Sequence, residues 1–343
     1  MRVDVIPINE LSEGMKQDWL KMQASNPSLM SPFFHPELFV SVGKYCPNVY
    51  VALLYKENVL MGFLPFLKDQ KLLAAQRIPF CNFEAIISYP NQYWDMNIIL
   101  KKMRLNSWNF DAIVDFENIK SKRGDFQIRN SFRIDLTCGL KEYWDFIQTK
   151  QVQFKTLTAK RRVLETMVGP LRFVANCNDI KAFHQHLQWK VARHNRDLEW
   201  ERLATGILEY IYYLKDPLFQ GIMPVLYAGD ELVAVDFALR YQGRLGGVIR
   251  AFNPNFEKYS VGILLLHELI KECKALEYSI MDLGPGVYRY KQEYSNSSLP
   301  TIKGSFKVDS FKEKLKSMGW LTQGLLPMLG LREKSQLNGS ISL

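Results

Sequence analysis

The sequence predicts an α/β fold with mixed α+β sheets, divided between two domains. Three observations lead there. The chain has 343 residues, more than one core ordinarily serves. Apolar residues at helical spacing alternate along it with short strand-like runs. The two halves also share a rough order of helices, then a hairpin, then a strand, without a visible repeat of sequence. The boundaries read as 1–139, 140–308 and a helical tail, 309–343, with a frayed polar end, "EKSQLNGSISL".

The elements follow in order. Residues 12–24 carry Met15, Trp19, Leu20 and Met22 at helical spacing. In "SPFFHPELF" two prolines bracket Phe33 and Phe34, and Pro36 can start a helix to about Val42. "NVYVALLYKENVLMGFLPFLKD" reads as a hairpin turning at Lys56-Glu57-Asn58. Strands are expected at Ala112–Phe116 and in "FQIRNSFRIDL". Residues 140–165 read as mostly helical, ending before Gly169-Pro170, and "LRFVAN" as a strand. Helices are expected over 179–194 and 203–214. "GIMPVLYAGDELVAVDFALRYQGRLGGVIRAFNP" holds three strands turning at Gly229-Asp230 and near Gln242-Gly243. A helix over Val261–Leu276 places Leu266, Leu269, Ile270, Cys273 and Leu276 on one face, and "YSIMDL" is a strand.

Hydrophobic residues make up 47% and charged residues 23%, so the chain is expected to fold throughout. The formal charge of +9 favours anionic partners: coenzyme phosphates, nucleotide-sugars, RNA or a membrane surface. Its densest cluster is Lys160, Arg161 and Arg162, which also fits a solvated helix face. The five cysteines form no C-x-x-C pair and suit free thiols in a reducing compartment. The N-terminus has no secretory pattern, and no apolar run reaches about 18 residues, so no membrane span and a cytoplasmic location are expected. No metal-ligand spacing, phosphate-loop motif, dinucleotide fingerprint or G-x-S-x-G elbow occurs, and His184 and His186 fall on different faces of a helix.

Two segments can carry chemistry. In "GGVIRAFNPNFEKYSVGILLLHELIKEC" a strand runs through a polar loop into a helix. Ser260 can cap that helix and Gly262 permits close approach of a ligand; the unpaired N–H groups of a helix start suit a pyrophosphate, or the segment is a plain cap. In "IMDLGPGVYRYKQEY" a strand ends in Asp282 before a Gly-Pro-Gly turn, with Tyr288, Tyr290 and Lys291 beyond it. Asp282 can contact a ligand or bind turn N–H groups. Tyr290 can act as an acid or orient an acceptor, and Lys291 can hold an anion; both can equally be solvated strand positions. Asp236, in "VAVDFAL" with Ala234 and Ala238 as face-mates, is a candidate general base whose burial would raise its pKa, or it pairs with Arg250 on the neighbouring strand.

Ser260-Val261-Gly262, the apolar helix after it, and Asp282, Gly284, Gly286, Tyr290 and Lys291 together resemble the acetyltransferase family of cellulose and exopolysaccharide biosynthesis, the CelD/BcsL type, within the GNAT superfamily. "FKTLTAKRRVLETMVGPLRF" and "MSPFFHPELF" are similar to that family too. The likeness covers most of 15–300 and is clearest over 150–295. It implies two tandem GNAT-like domains packed together, with the active site in the second and at its interface with the first. It implies acetyl-CoA or another acyl-CoA as cofactor, bound by Lys258, Ser260 and Gly262. On the residues themselves, Asp236 and Tyr290 are the catalytic candidates, with Arg250, Asp282, Tyr288 and Lys291 around the acceptor. Where GNAT proteins usually show Arg/Gln-x-x-Gly-x-Gly, this chain has Glu257, Ser260 and Gly262, with only the last glycine kept; Lys258 is the candidate to offset Glu257.

The activity expected is acyl transfer to the amine or hydroxyl of a small-molecule or sugar acceptor, such as a nucleotide-sugar, in surface-polysaccharide synthesis. The alternatives are a peptidoglycan-bridge-type aminoacyltransferase using aminoacyl-tRNA, which lacks its usual helical-hairpin insertion here, and a non-catalytic GNAT-like subunit of a polysaccharide synthesis complex. No DNA-binding role is expected.

Overall fold

The computed structural model describes residues 1–121, 124–150 and 154–308; the tail expected to be helical lies outside them. Strand β1 (Arg2–Pro7) lies antiparallel to β2 (Val49–Lys56). Helix α1 (Glu13–Ser25) begins where Ser12 accepts a bond from the Met15 N–H, and α2 (Pro36–Gly43) opens on its proline. β2 turns into β3 (Val59–Asp69) through Glu57 and Asn58, at φ of 49° and 65°. Two positive φ values give the turn twist that matches paired strands. Short strands β4 (Ala74–Gln76), β5 (Ile87–Ser88) and β6 (Trp94–Asp95) lead to α3 (Met96–Met103), capped by Asp95. The first half ends with β7 (Ser107–Ile113), β8 (Ile119–Lys120) and β9 (Gly124–Asp135).

In the second half the helical stretch expected over 140–165 is two helices, α4 (Leu140–Thr149) and α5 (Phe154–Met167). After β10 (Leu171–Val174) come α6 (Ile180–His194) and α7 (Leu198–Tyr213). α7 starts before the expected residue 203 because Asp197 caps it, accepting from the Trp200 N–H. The strands β11 (Phe219–Ile222), β12 (Val225–Ala228), β13 (Glu231–Tyr241) and β14 (Arg244–Phe252) follow, one more than expected. Then come α8 (Val261–Lys271), β15 (Ile280–Gly284), α9 (Arg289–Tyr294) and β16 (Ser297–Lys307). Tyr290 and Lys291 lie in α9, so the solvated strand position weighed for each does not hold. β16 was not expected: Pro300 interrupts its pattern, and it lies where β16 has β9 on one side while β7 reaches only Ile302.

Fourteen strands form one mixed sheet, in the order β1-β2-β3-β4-β7-β16-β9-β15-β14-β13-β12-β10, with β5 on β3 and β11 on β13. The last strand of the described chain, β16, is therefore inserted between two strands of the first half. The largest apolar cluster also joins both halves, with Trp19, Phe33 and Phe63 packed among the same residues as Ile207, Phe237 and Tyr241. A second cluster lies under α8, where the predicted face of Leu266, Leu269, Ile270, Cys273 and Leu276 is buried.

One irregularity positions everything that follows. β14 and β15 run parallel and pair over three positions only, Arg244–Ile280, Leu245–Met281 and Gly246–Asp282. Beyond them β14 stays with β13, while β15 bends toward β9 and pairs Gly284 with Phe132. Gly284 has φ +75°, a conformation glycine adopts without a Cβ penalty. At Gly246 a Cβ would lie 2.5 Å from the Phe33 ring, so the first half packs directly on the last paired position.

Asp282 holds the bend. Ser31 Oγ of the first half donates to its Oδ2 at 2.9 Å, and Arg133 Nε of β9 donates to its Oδ1 at 2.5 Å. The Asp282 side chain is fully buried and Arg133 nearly so. Removing one partner of such a pair leaves a buried uncompensated charge, so D282A should cost about 3–5 kcal/mol in urea unfolding, and S31A only about 1 kcal/mol. Equal small losses for the two variants would show that the carboxylate does not hold the two halves to the strand.

Candidate active site

The parting of β14 from β15 opens a cleft of about 610 Å³. Beside Gly247, the first residue of β14 past the paired stretch, a Cβ would meet nothing within 4 Å. The cleft is lined by β13 and β14 through Asp236 and Arg250, by the start of α8 through Ser260 and Gly262, and by the segment from Asp282 to Lys291 that includes Tyr288 and Tyr290. Helix α6 adds Lys190, Arg193 and His194, and the first half adds Arg77, Asn82 and Asp111. All the catalytic, acceptor and coenzyme residues expected from the sequence therefore meet here except Lys258.

Asp236 and Arg250 face each other across β13 and β14. Arg250 Nε and Nη2 both donate to Asp236 Oδ2, at 2.8 and 2.5 Å. The pairing weighed from the sequence is thus present, but it uses one carboxylate oxygen: Oδ1 is buried with no hydrogen-bond partner. Burial pushes the Asp236 carboxyl above its ordinary value, against the pull of Arg250 and Lys190. The result is a desolvated carboxylate in the cleft lining with one oxygen unbonded.

Lys291 is neither on a strand nor solvated. It sits in α9, 6% exposed, and its Nζ donates to the carbonyls of Gly284 at 3.1 Å and Pro285 at 2.8 Å. An ammonium has three donors, so one remains for a ligand. Burial, with Arg250 and Lys190 nearby, lowers its pKa to about 8. Asp282 does not bind turn N–H groups; it takes the bonds from Ser31 and Arg133 and meets the cleft as a structural carboxylate. Tyr290 is half-buried, and burial raises its hydroxyl pKa. Tyr288 is exposed, its ring centroid 5.3 Å from Lys291 Nζ.

At the start of α8, Ser260 occupies the cap position with φ +58° but its side chain makes no capping bond. Its Oγ instead accepts from Lys160 Nζ of α5 at 2.9 Å. Glu257 is offset by Arg193, whose Nη2 donates to Glu257 Oε1 at 2.9 Å, while the Arg193 guanidinium lies over the Phe252 ring at 4.4 Å. Lys258 does not fill the role considered for it: it is exposed, lies outside the cleft, and sits 5.0 Å from the Tyr259 ring centroid. Lys190, Arg193 and His194 were not singled out from the sequence, although their i, i+3, i+4 spacing places them on one helical face. Arg77, Asn82 and Asp111 had no such signal. Among the described residues no group of His, Cys, Asp and Glu is arranged to hold a metal ion.

Residues 151–292 match the family described as acetyltransferase (GNAT) domain, so the second half of the chain carries a GNAT-type acyltransferase domain. No curated protein matches the sequence. Solved structures are similar in fold across nearly the whole chain. FemX is 9% identical, at a TM-score of 0.55 over 92% of this chain and 99% of its own. The C-terminal domain of a putative lysylphosphatidylglycerol synthetase from Agrobacterium fabrum is 10% identical, at 0.51 over 91% and 97%. A conserved protein of unknown function from Bacteroides thetaiotaomicron is 10% identical, at 0.54 over 85% and 97%. At these identities the likeness is one of fold. Among the described residues, no helix is long and apolar enough to cross a membrane.

The surroundings of Lys291 make a direct expectation. In labelling of lysines by a small amine-reactive reagent as a function of pH, the pH dependence at Lys291 should have its midpoint near 8, well below that of exposed lysines. Its absolute rate should be low because the side chain is buried, and a midpoint indistinguishable from surface lysines would refute the assigned environment.

Proposed function

We propose that the cleft takes acyl-CoA and passes its acyl group to an amine or hydroxyl of a small acceptor. The observation that carries this reading is the three-residue pairing of β14 with β15, which leaves β14 without β15 as a neighbour from Gly247 onward, where Asn82 takes the Gly247 carbonyl and His186 bonds that of Ile249. An open strand edge can receive an extended, amide-bearing chain through backbone hydrogen bonds. The start of α8, with unpaired N–H groups, and the cations Lys160 and Arg193 suit phosphates. These residues would hold a coenzyme whose thioester supplies the activated acyl group.

Two residues of the chain have chemistry to perform. The Asp236 carboxylate would accept the proton of the attacking amine or hydroxyl, aided by a pKa that burial raises. Lys291 would direct its remaining N–H at an oxygen that gains negative charge, its other donors fixed by Gly284 and Pro285. Tyr290, in the same lining, would orient the acceptor. We also read the chain as two GNAT-like halves, 1–139 and 140–308, with β16 crossing back into the first.

The acceptor follows the resemblance to the CelD/BcsL type: a sugar or nucleotide-sugar in surface-polysaccharide synthesis, handled in the cytoplasm. Aminoacyl transfer from tRNA is the second reading. The likeness of fold to FemX and to the lysylphosphatidylglycerol synthetase domain favours it, together with the charge of +9. It requires tRNA binding at low salt that weakens steeply as salt rises; no binding at low salt eliminates it.

Coenzyme A at about a hundredfold excess over its Kd should stabilise the protein by about 2.7 kcal/mol, read as a raised Tm. An unchanged Tm at millimolar coenzyme would count against the assignment. D236N should lower kcat by roughly 10²–10⁴-fold with coenzyme affinity retained. The activity should rise with pH as Asp236 loses its proton, above the ordinary carboxylate range, and fall above about 8 as Lys291 loses its own. In K291R the alkaline fall should move upward, since a guanidinium stays charged; an unmoved limb would remove Lys291 from the role.

A further inference from the structure

We infer that the acceptor is anionic and that Arg77, from the first half of the chain, is the residue that selects it. The inference rests on the acyl-transfer reading of the same cleft and assigns the part of it that the first half lines.

The loop after β4 is fastened across the parted strands. Asn82 Nδ2 donates to the Gly247 carbonyl of β14 at 2.8 Å. The same amide nitrogen lies 3.0 Å from where a Cβ on Gly284 would stand, and Gly284 supplies one of the carbonyls that hold Lys291. Phe80 is in the left-handed region at φ +63° and its ring packs on Trp200 of α7, with centroids 5.9 Å apart. A non-glycine residue held there is strained and needs its surroundings to keep it. The loop is therefore a wall of the cleft, bonded to β14 and packed close to β15 at Gly284.

Arg77 is the cation on that wall. Its Nε donates to the Cys81 carbonyl at 2.9 Å, which orients the guanidinium. Its contact with a carboxylate, Nη1 to Asp111 Oδ2, is 3.4 Å, at the outer limit of a hydrogen bond. Asp111 is shared: its Oδ1 lies 2.6 Å from Lys303 Nζ. Asp111 thus answers two cations, the buried Glu84 carboxyl also interacts with Arg77, and Arg77 Nη2 makes no hydrogen bond among the described residues. The side chain is 38% exposed and lines the cleft. A planar fork with a free Nη2, partly exposed to the cleft, matches a carboxylate or a phosphate. The acceptor class is therefore a molecule carrying one of these beside its amine or hydroxyl: a sugar acid, a sugar phosphate or a nucleotide-sugar rather than a neutral sugar.

Calorimetric titration of the coenzyme A-saturated protein tests this, with inorganic pyrophosphate and glucuronate as anionic probes and glucose as the neutral one. At least one anion should bind the wild type more tightly than glucose, and the one that binds identifies phosphate or carboxylate as the recognised group. R77M should weaken that anion about tenfold or more, R77K less, and D111N should tighten it several-fold. Failure of both anions to bind the wild type, equal binding to R77M, or a D111N loss equal to that of R77M overturns the inference. If R77M does not fold, the sign of the D111N change decides. Coenzyme A affinity, measured beforehand in each protein, should be unaltered by these substitutions. If the wild type does not bind coenzyme A, the acyl-CoA reading fails on its own, and the same comparison without coenzyme still decides the role of Arg77.

Discussion

Asp282 sits buried at the last position where β15 still pairs with β14, and it is bonded from two directions. Ser31 reaches it from the loop before α2 and Arg133 from β9. A buried carboxylate needs such partners, and Arg133 is its register partner on β9, so the charge fixes β15 to β9 at the position where its pairing with β14 ends. The parting of two parallel strands is the geometric outcome. The cleft, the edge of β14 that β15 leaves, and the placement of α9 after the Gly-Pro-Gly turn all depend on it. The same contact makes the first half part of the site, since Ser31 and Phe33 press on the strand positions where the parting begins.

The electrostatics of the cleft are those of a partly satisfied network. Asp236 has one oxygen bonded and one unbonded, Lys291 has two of its three donors used, and Arg77 has a shared and distant carboxylate. In a water-poor wall each remaining valence is costly to leave unmet, and a bound ligand can meet it. By contrast Glu257 at the rim is answered by Arg193, and Lys160 keeps donors beyond its one bond to Ser260. The acid at the α8 loop therefore does not set the sign of the charge there. A guanidinium from α6 accompanies it, and that helix is remote in sequence from the loop.

Much of the fold could be read from local pattern. The turn at Glu57 and Asn58, the cap at Ser12, the start at Pro36 and the buried face of α8 each follow from residues within a few positions of one another. Where reading failed, a distant partner had decided. β16 carries a proline and scattered polar residues, and is a strand because β7 and β9 flank it. Tyr290 and Lys291 follow a strand in sequence but lie in a short helix, which the bonds from Lys291 back to the Gly284 and Pro285 carbonyls help to hold.

The site divides in the same way. By itself the sequence determined the alternation of helices and strands, the apolar faces, the excess of positive charge, and the chemical types at Asp236, Arg250, Ser260, Gly262 and the Asp282–Lys291 segment. These depend on spacing and composition, which a linear chain displays. Only the tertiary structure decided that Asp236 keeps an unbonded oxygen, that Arg193 and not Lys258 answers Glu257, that Lys291 is buried, and that Arg77, Asn82 and Asp111 of the first half line the same cleft. Burial and pairing are properties of neighbours in space. In this chain those neighbours stand tens to hundreds of residues away, brought together where two parallel strands part.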